Sequence, residues 1–513
     1  MGTKRVWMLA LAVLLGGAGL VAGCQWFGGS TNDLTVAIGT DASTFDPHFT
    51  TDSATEVLNK NLYNNLVRFN AKMEIVPDLA TKWDVSPDGL TWSFDLREGV
   101  KFHDGTAFTA ESVKANFDRL LDEKTGSPRR SVLGMIKTIE VVSPTKMKIA
   151  TAYPTGSFLQ QLAHPVAAII SPAAITKYGK DLSRNPVGTG PFKLAEWTSG
   201  DKIVMEANAN YFEGAPAVKR LVWKIVPEDS SRTMMIESGQ ADVAFRIPVA
   251  DVARLRAKPD VAVLEGPTVM TMYVALNNSR GPLKDARVRQ AINYAVQKEA
   301  LVKDIAGGMG IVADAPISQS TWGYAKIGAY PFDREKAKAL LKQAGYAKGF
   351  ELELWTPVGR YLMDRQVAES LQAQLGEVGI AVKIRPWEFQ ALMSEVKKGQ
   401  FDAVLLGWSP STGDADQGLY PVFHSSQFPP NSNRAFYSNP KVDTLMVNAR
   451  QATDAHERLD IYRQAEQLIM DDAPWLFLFY PKQVVLTRAT VKGVELLPTE
   501  HILFAKAAKE VAK

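Results

Sequence analysis

Apolar positions along the chain fall into one long uncharged run and many short periodic ones. The long run, Val6 to Leu20, comes first and is not repeated later. After it, Leu34–Ile38 reads as a compact strand. Leu90, Trp92, Phe94 and Leu96 alternate with polar residues, the period of a half-buried strand, behind the turn-forming Ser86-Pro87-Asp88-Gly89. The period lengthens at Thr109, where Glu111 in the first turn marks a helix reaching about Leu121. Ile139–Val142 and Lys146–Ala150 flank Ser143-Pro144-Thr145 and predict a hairpin.

From Asn277 to Leu406 the pattern changes to alternating helices and strands. Helices are predicted at Ala286–Val296, Arg334–Gln343, Asp364–Leu375 and Glu388–Lys398, and strands at Glu351–Trp355, Ala381–Ile384 and Asp402–Leu406. Gly345, Gly376 and Gly379 stand where helices should stop. This order argues for a parallel or mixed α/β sheet. A further helix starts at Asp454, with Glu457 placed as in a capping box, and ends before Pro474. Trp475–Tyr480 and Val484–Thr487 then read as two buried strands. Strand edges need partners, so such a tail is expected to return to the first sheet. The chain would then cross between two lobes twice, near Leu276 and near Tyr480. Two crossings make a hinge, and a hinge makes a closing cleft.

The initial run lies between Lys4-Arg5 and Val21-Ala22-Gly23-Cys24, the layout of an export signal over residues 1–23. It is too short for a membrane-spanning helix. The order aliphatic, small, glycine, cysteine resembles a bacterial lipobox, which makes Cys24, the single cysteine, the expected lipidation site. One acyl chain holds a protein weakly at a membrane and two or more hold it durably. Residues 24–32, rich in glycine and small polar side chains, read as a tether. The alternatives are a free thiol on a secreted protein or a plain N-terminal anchor helix.

The whole chain has 513 residues, and at roughly 100–200 residues per domain this suggests two to four domains. Lys4 and Arg5 account for two of the 58 basic residues, so the remainder nearly balances the 55 acidic ones. Clustered positive charge for nucleic acid is missing. Motifs for a nucleophile elbow, a P-loop or a dinucleotide fold are also missing. Gly188-Thr189-Gly190-Pro191 could pass for a phosphate loop, but Pro191 removes a donor and no helix follows, so a turn is expected. The histidines (His48, His103, His164, His424, His456, His501) are scattered, and no metal or cofactor site is expected. Asp414-Ala415-Asp416 lacks a third ligand at EF-hand spacing.

Pro77–Trp83, Ser86–Thr91 and Phe94–Thr106 closely resemble the signature of the peptide/nickel class (family 5) of extracytoplasmic solute-binding proteins of ABC importers. Asn185–Phe192, Glu237–Val243, Arg287–Ala295 and Ala337–Gly345 look like further blocks of that family. The resemblance implies an α/β, two-lobed periplasmic-binding-protein-like fold built as three domains. These are residues 33–68 with 181–275 and 481–513, residues 69–180, and residues 276–480. It also implies a receptor, not an enzyme: a monomer, anchored outside the cytoplasmic membrane, that captures a peptide-like solute for an ABC permease and ATPase.

Peptide-binding members hold the ligand backbone by strand-like hydrogen bonds, its ammonium with an aspartate and its carboxylate with a basic residue. Dipeptide-type members carry that aspartate three residues after the loop tryptophan. Here the tryptophan is Trp408 and the position is Ser411, so Asp414 or Asp416 is expected to supply the charge from a shifted place. The loop Gly407–Asp416 looks more like that of the glutathione-binding branch, as do Leu162–Pro165 and Ile170–Ala174. Arg360 is the expected carboxylate partner, because a guanidinium fork matches a carboxylate. Its bland alternative is a surface ion pair with Asp364. Trp408 would form an apolar wall or merely anchor the loop. Thr44 and Phe45, ending the first strand, with Tyr420 and Arg434, complete the expected ligand set; Asp46 is read as structural. Nickel-chelate or haem binding, a lipid-anchored peptide hydrolase, and a sensor remain as alternatives.

Overall fold

A computed structural model describes residues 32–361 and 363–510. The leader, Cys24 and most of the tether lie outside the described residues.

One strand organises the molecule. Trp475–Arg488 runs for 14 residues, and its two halves serve different neighbours. Its first part pairs antiparallel with Thr271–Leu276. Its second part pairs with Val261–Pro267 on one side and Val243–Phe245 on the other. The two predicted strands are therefore one. Pro481 cannot donate a ladder hydrogen bond, but it tolerates an extended backbone. It sits where pairing passes from one set of neighbours to the next, and its carbonyl accepts from Thr268 Oγ1 at 2.6 Å. Trp475 to Tyr480 are all buried, as a strand covered on both faces requires.

Around this strand a 12-stranded sheet extends in both directions. On one side, Ala403–Trp408 pairs antiparallel with Thr271–Leu276 and parallel with Phe350–Pro357, which pairs parallel with Ile380–Trp387. Helices Asp364–Gly376 and Phe389–Val396 make the crossovers. On the other side, Asp33–Ile38 lies parallel to Val243–Phe245 and to Arg220–Ile225, and the antiparallel strands Lys202–Ala207 and Phe192–Thr198 follow. A separate four-stranded sheet joins Ala80–Val85, Thr91–Leu96, Lys146–Thr151 and Ile136–Ser143, the last two forming the expected hairpin. Helix Ala110–Leu121 packs on it, with Thr109 and Ser112 in a reciprocal cap.

Each half of the large sheet has a core on both faces. Met272, Val274 and Leu276 enter one cluster with Leu354, Val367 and Leu371, while Tyr273 and Ala275 enter another with Trp355, Leu419 and Tyr462. That division is the period of two of a strand. Leu34, Val36, Trp223 and Phe192 fill the counterpart on the Asp33–Ile38 side of the sheet, which with the four-stranded sheet forms the first lobe; the Ala403–Trp408 side forms the second. Gly188 and Gly190 form no phosphate cradle. A Cβ on either would collide with the Leu62 backbone, and Gly190 N–H donates to the Leu62 carbonyl at 3.0 Å. The motif is a close-packed turn.

Candidate functional site

In open α/β sheets ligands gather outside the carboxyl ends of parallel strands. Two such ends are neighbours here. Ala403–Trp408 delivers the loop that starts at Trp408, and Phe350–Pro357 delivers the loop carrying Arg360. The loops touch: Tyr361 Oη lies 3.5 Å from the Gly407 carbonyl. Gly407 has no room for a Cβ, because the Tyr361 ring and the Met270 and Met272 sulfurs cover it.

The Asp364 carboxylate accepts from the backbone N–H groups of Arg360 and Tyr361 at 2.8 and 3.1 Å. The bland alternative for Arg360 was an ion pair with this carboxylate. Instead, Asp364 shapes the loop through the backbone, and the exposed Arg360 guanidinium lies over the Phe389 ring at 4.9 Å. Trp408 donates its indole N–H to the Gln417 carbonyl at 2.9 Å, which fastens the loop to helix Ala415–Phe423. Half-buried, it keeps part of its face available.

The two expected ammonium acceptors have other partners. Asp414 is wholly buried and caps helix Ala415–Phe423. Arg458 grips both its oxygens, at 2.9 and 2.6 Å, and lies over the Trp322 ring. A carboxylate held this way has no lone pair facing a cleft; it secures the loop. Asp416 lies 2.9 Å from Arg450 Nε and takes a 3.4 Å hydrogen bond from Ser157. Burial raises its pKa against the pull of Arg450.

On the first lobe, Thr44 Oγ1 accepts from Asp46 N–H at 3.1 Å in a local turn. Phe45 is fully buried and stacks edge-on against Trp197 at 4.9 Å. Its ring belongs to the lobe core, because the chain turns inward immediately after the strand. Asp46 holds Arg119 in a two-point ion pair, as its structural reading implied. Tyr420 stacks on His424 at 4.4 Å, and the Arg450 guanidinium lies over its ring at 4.1 Å. Arg434 is half-buried, burial lowers its pKa, and its side chain reaches the Pro430 carbonyl at 3.4 Å.

The lobes meet at a polar seam. His164 Nε2 lies 3.0 Å from Ser411 Oγ. The Val166 N–H donates to His164 Nδ1 at 3.1 Å, which places the ring proton on Nε2. His164 therefore donates to Ser411, and Ser411 donates on to Gln417 Oε1 at 3.1 Å. Burial lowers the His164 pKa to about 3. A serine beside a histidine suggests a nucleophile and its base, but this nitrogen holds a proton and cannot take one. Nearby, Gly156 N–H donates to the Arg450 carbonyl at 3.1 Å, and Arg458 reaches the Gly156 carbonyl at 3.3 Å.

Beside this seam lies a cavity of about 150 Å³, walled by first-lobe residues including Lys60, Asn64, Asn65, Thr499 and His501, and by Ser411 of the second lobe. His501 Nε2 stands 3.7 Å from Glu56, which Arg129 also approaches. Burial pushes the Glu56 pKa up, but the His501 hydrogen bond and the nearby positive charge outweigh it and hold the group below its usual range. Sequence reasoning missed Lys60, His164 and His501. They come from distant segments and share no spacing that would link them. Among the described residues no group of histidine and carboxylate side chains could hold a metal.

Residues 74–430 match the model described as bacterial extracellular solute-binding proteins, family 5 Middle. The glutathione-binding protein GsiB of Pectobacterium atrosepticum is 34% identical over 514 residues, covering 99% of each chain. HbpA2 of Haemophilus parasuis superposes with a TM-score of 0.86 at 28% identity, over 94% of this chain and 100% of that one. The ABC transporter-associated periplasmic binding protein DppA of Helicobacter pylori, solved with the peptide STSA, gives 0.77 at 30% identity, over 93% of this chain and 98% of that one. The chain belongs to family 5 of the bacterial extracellular solute-binding proteins. It has their two-lobed α/β fold, and it is a binding protein and not an enzyme.

Proposed function

We propose that this chain is the receptor of an ABC importer that captures glutathione or a short peptide between its lobes and passes it, unaltered, to a membrane permease. The observation that carries the reading is the seam: His164 and Ser411 meet across the lobes beside a cavity, at the carboxyl ends of the parallel strands. The GsiB relative supports glutathione as the first ligand to test, and the DppA complex supports a short peptide. Arg360 takes a ligand carboxylate and Trp408 offers an apolar face. Thr44, Tyr420 and Arg434 stand at the margins of the same site. Asp414 and Asp416 hold the loop that carries Ser411.

In this reading the three domains comprise residues 33–68 with 181–275 and 481–513, residues 69–180, and residues 276–480. The long Trp475–Arg488 strand supplies one arm of the hinge. The protein works as a monomer held outside the cytoplasmic membrane by lipid on Cys24. Labelled acyl chains should enter the full-length protein and not its Cys24→Ala variant; equal labelling removes the anchor.

Calorimetry on the chain from residue 25 onward tests the ligand. Micromolar binding of glutathione, a dipeptide or a tripeptide corresponds to about −8 kcal/mol. Lack of heat with every one of them, or recovery of cleaved products, refutes the receptor.

A further inference from the structure

We infer that Lys60 is an anchoring site for a ligand carboxylate in the seam cavity, which makes this receptor selective for solutes with an additional free carboxylate. The inference rests on the receptor reading and deepens it.

Lys60 is the C-cap of helix Ser53–Asn59 and lines the cavity together with Ser411 from the opposite lobe. Its ammonium donates to the Ala163 carbonyl at 3.0 Å and to Asn65 Oδ1 at 3.3 Å. An ammonium has three donors, so one is unused. Both partners are neutral. The two acids that act on the lysine are already engaged. Asp78 accepts from Asn64 Nδ2 at 2.8 Å and from Asn65 N–H at 2.9 Å, with Arg68 at 3.5 Å. Glu56 faces His501 and Arg129. Of the other lysine and arginine side chains on the cavity wall, Arg68 is tied in two-point fashion to Glu213, and Lys506 is exposed to solvent.

Lys60 is half-buried and makes no ion pair among the described residues, and the cost of holding a cation this way shows in the lysine itself. Burial lowers its pKa to about 8, against the opposing pull of Asp78 and Glu56. At neutral pH it is still mostly charged. Such a group favours an incoming carboxylate, which would form a charge-assisted hydrogen bond away from bulk water. The opposite wall agrees. Ser411 is neutral, and its hydroxyl is committed to His164 and Gln417. The seam thus presents a free positive charge where the Ser411 position adds no negative one. A cavity of about 150 Å³ has room for a carboxylate-bearing end group and water.

The test is a chemical double cycle by calorimetry. Wild type, Lys60→Met and Lys60→Arg are each titrated with glutathione, with its two mono-carboxamides, and with trialanine and its C-terminal amide. We expect Lys60→Met to weaken the tightest acid at least tenfold and to abolish wild-type discrimination against one of its amides. Lys60→Arg should retain most of the affinity. Thermal unfolding checks that the variants fold. Equal losses for acid and amide assign Lys60 a structural role and overturn the inference, as does an unchanged dissociation constant. If wild type binds none of these probes, the receptor reading fails first and the subsite with it.

Discussion

Gly156 in the first lobe and Arg450 in the second share a backbone hydrogen bond of 3.1 Å. Strand pairing aside, few main-chain contacts join residues so distant in sequence, and this one leaves no space for a side chain. A Cβ on Gly156 would strike the Ala452 carbonyl and the Arg458 side chain.

Gly156→Ala is therefore expected to prevent full closure without harming either lobe. Ligand affinity should fall by a hundredfold or more, which is about 2.8 kcal/mol, while the unfolding temperature stays within a few degrees of wild type. Calorimetry beside thermal unfolding checks both. Wild-type affinity in this variant would show that the seam does not need to close as described.

Asp414 and Arg458 form an almost fully buried ion pair, with side chains 0% and 2% exposed. Removing one partner of such a pair leaves an uncompensated charge and costs about 3–5 kcal/mol. Asp414→Ala should lower stability by that amount in urea denaturation. If stability is unchanged and only ligand binding is lost, Asp414 is a ligand contact after all.

Arg360 is exposed and free of any carboxylate grip among the described residues. Arg360→Ala should weaken binding of a ligand with a free carboxylate at least tenfold, about 1.4 kcal/mol, with no change in stability. An unaltered dissociation constant takes Arg360 out of the site.

Three histidines should give the fold a marked acid sensitivity. Burial lowers the pKa of His48 and His103 to about 4 and that of His164 to about 3. The unfolded values lie near 6.5. Below that pH the unfolded chain takes up protons that the folded chain refuses. The stability these neutral rings contribute is complete above about pH 6.5 and is lost as pH falls toward 4, by up to about 1.4 kcal/mol per pH unit for each ring. Urea midpoints measured from pH 7 to 4 should fall steeply; a flat profile from 7 to 5 contradicts the burial of these rings in neutral form.

Periodicity carried most of the fold. Helix Arg334–Gln343 appears with the predicted bounds, and Asp454 caps its helix through the Glu457 N–H at 2.8 Å. The tail strand does return to the first sheet. Local pattern failed at Pro481, where tertiary pairing on both sides carries the strand through a residue that usually ends one. The site was less legible. The family resemblance singled out Trp408–Asp416, but an acid in a polar loop looks the same in sequence whether it faces a ligand or, as Asp414 does, an arginine 44 residues away. Nothing in the sequence pattern marked Lys60, because the cavity beside it is formed by residues as far apart as Asn64 and His501.

Small-angle X-ray scattering of the chain from residue 25 onward, with and without saturating glutathione and short peptides, tests the two-lobed trap most directly. The account predicts an open free form and a measurable contraction with at least one of these solutes, the solute being recovered intact by mass. Profiles that coincide whatever solute is added would contradict it.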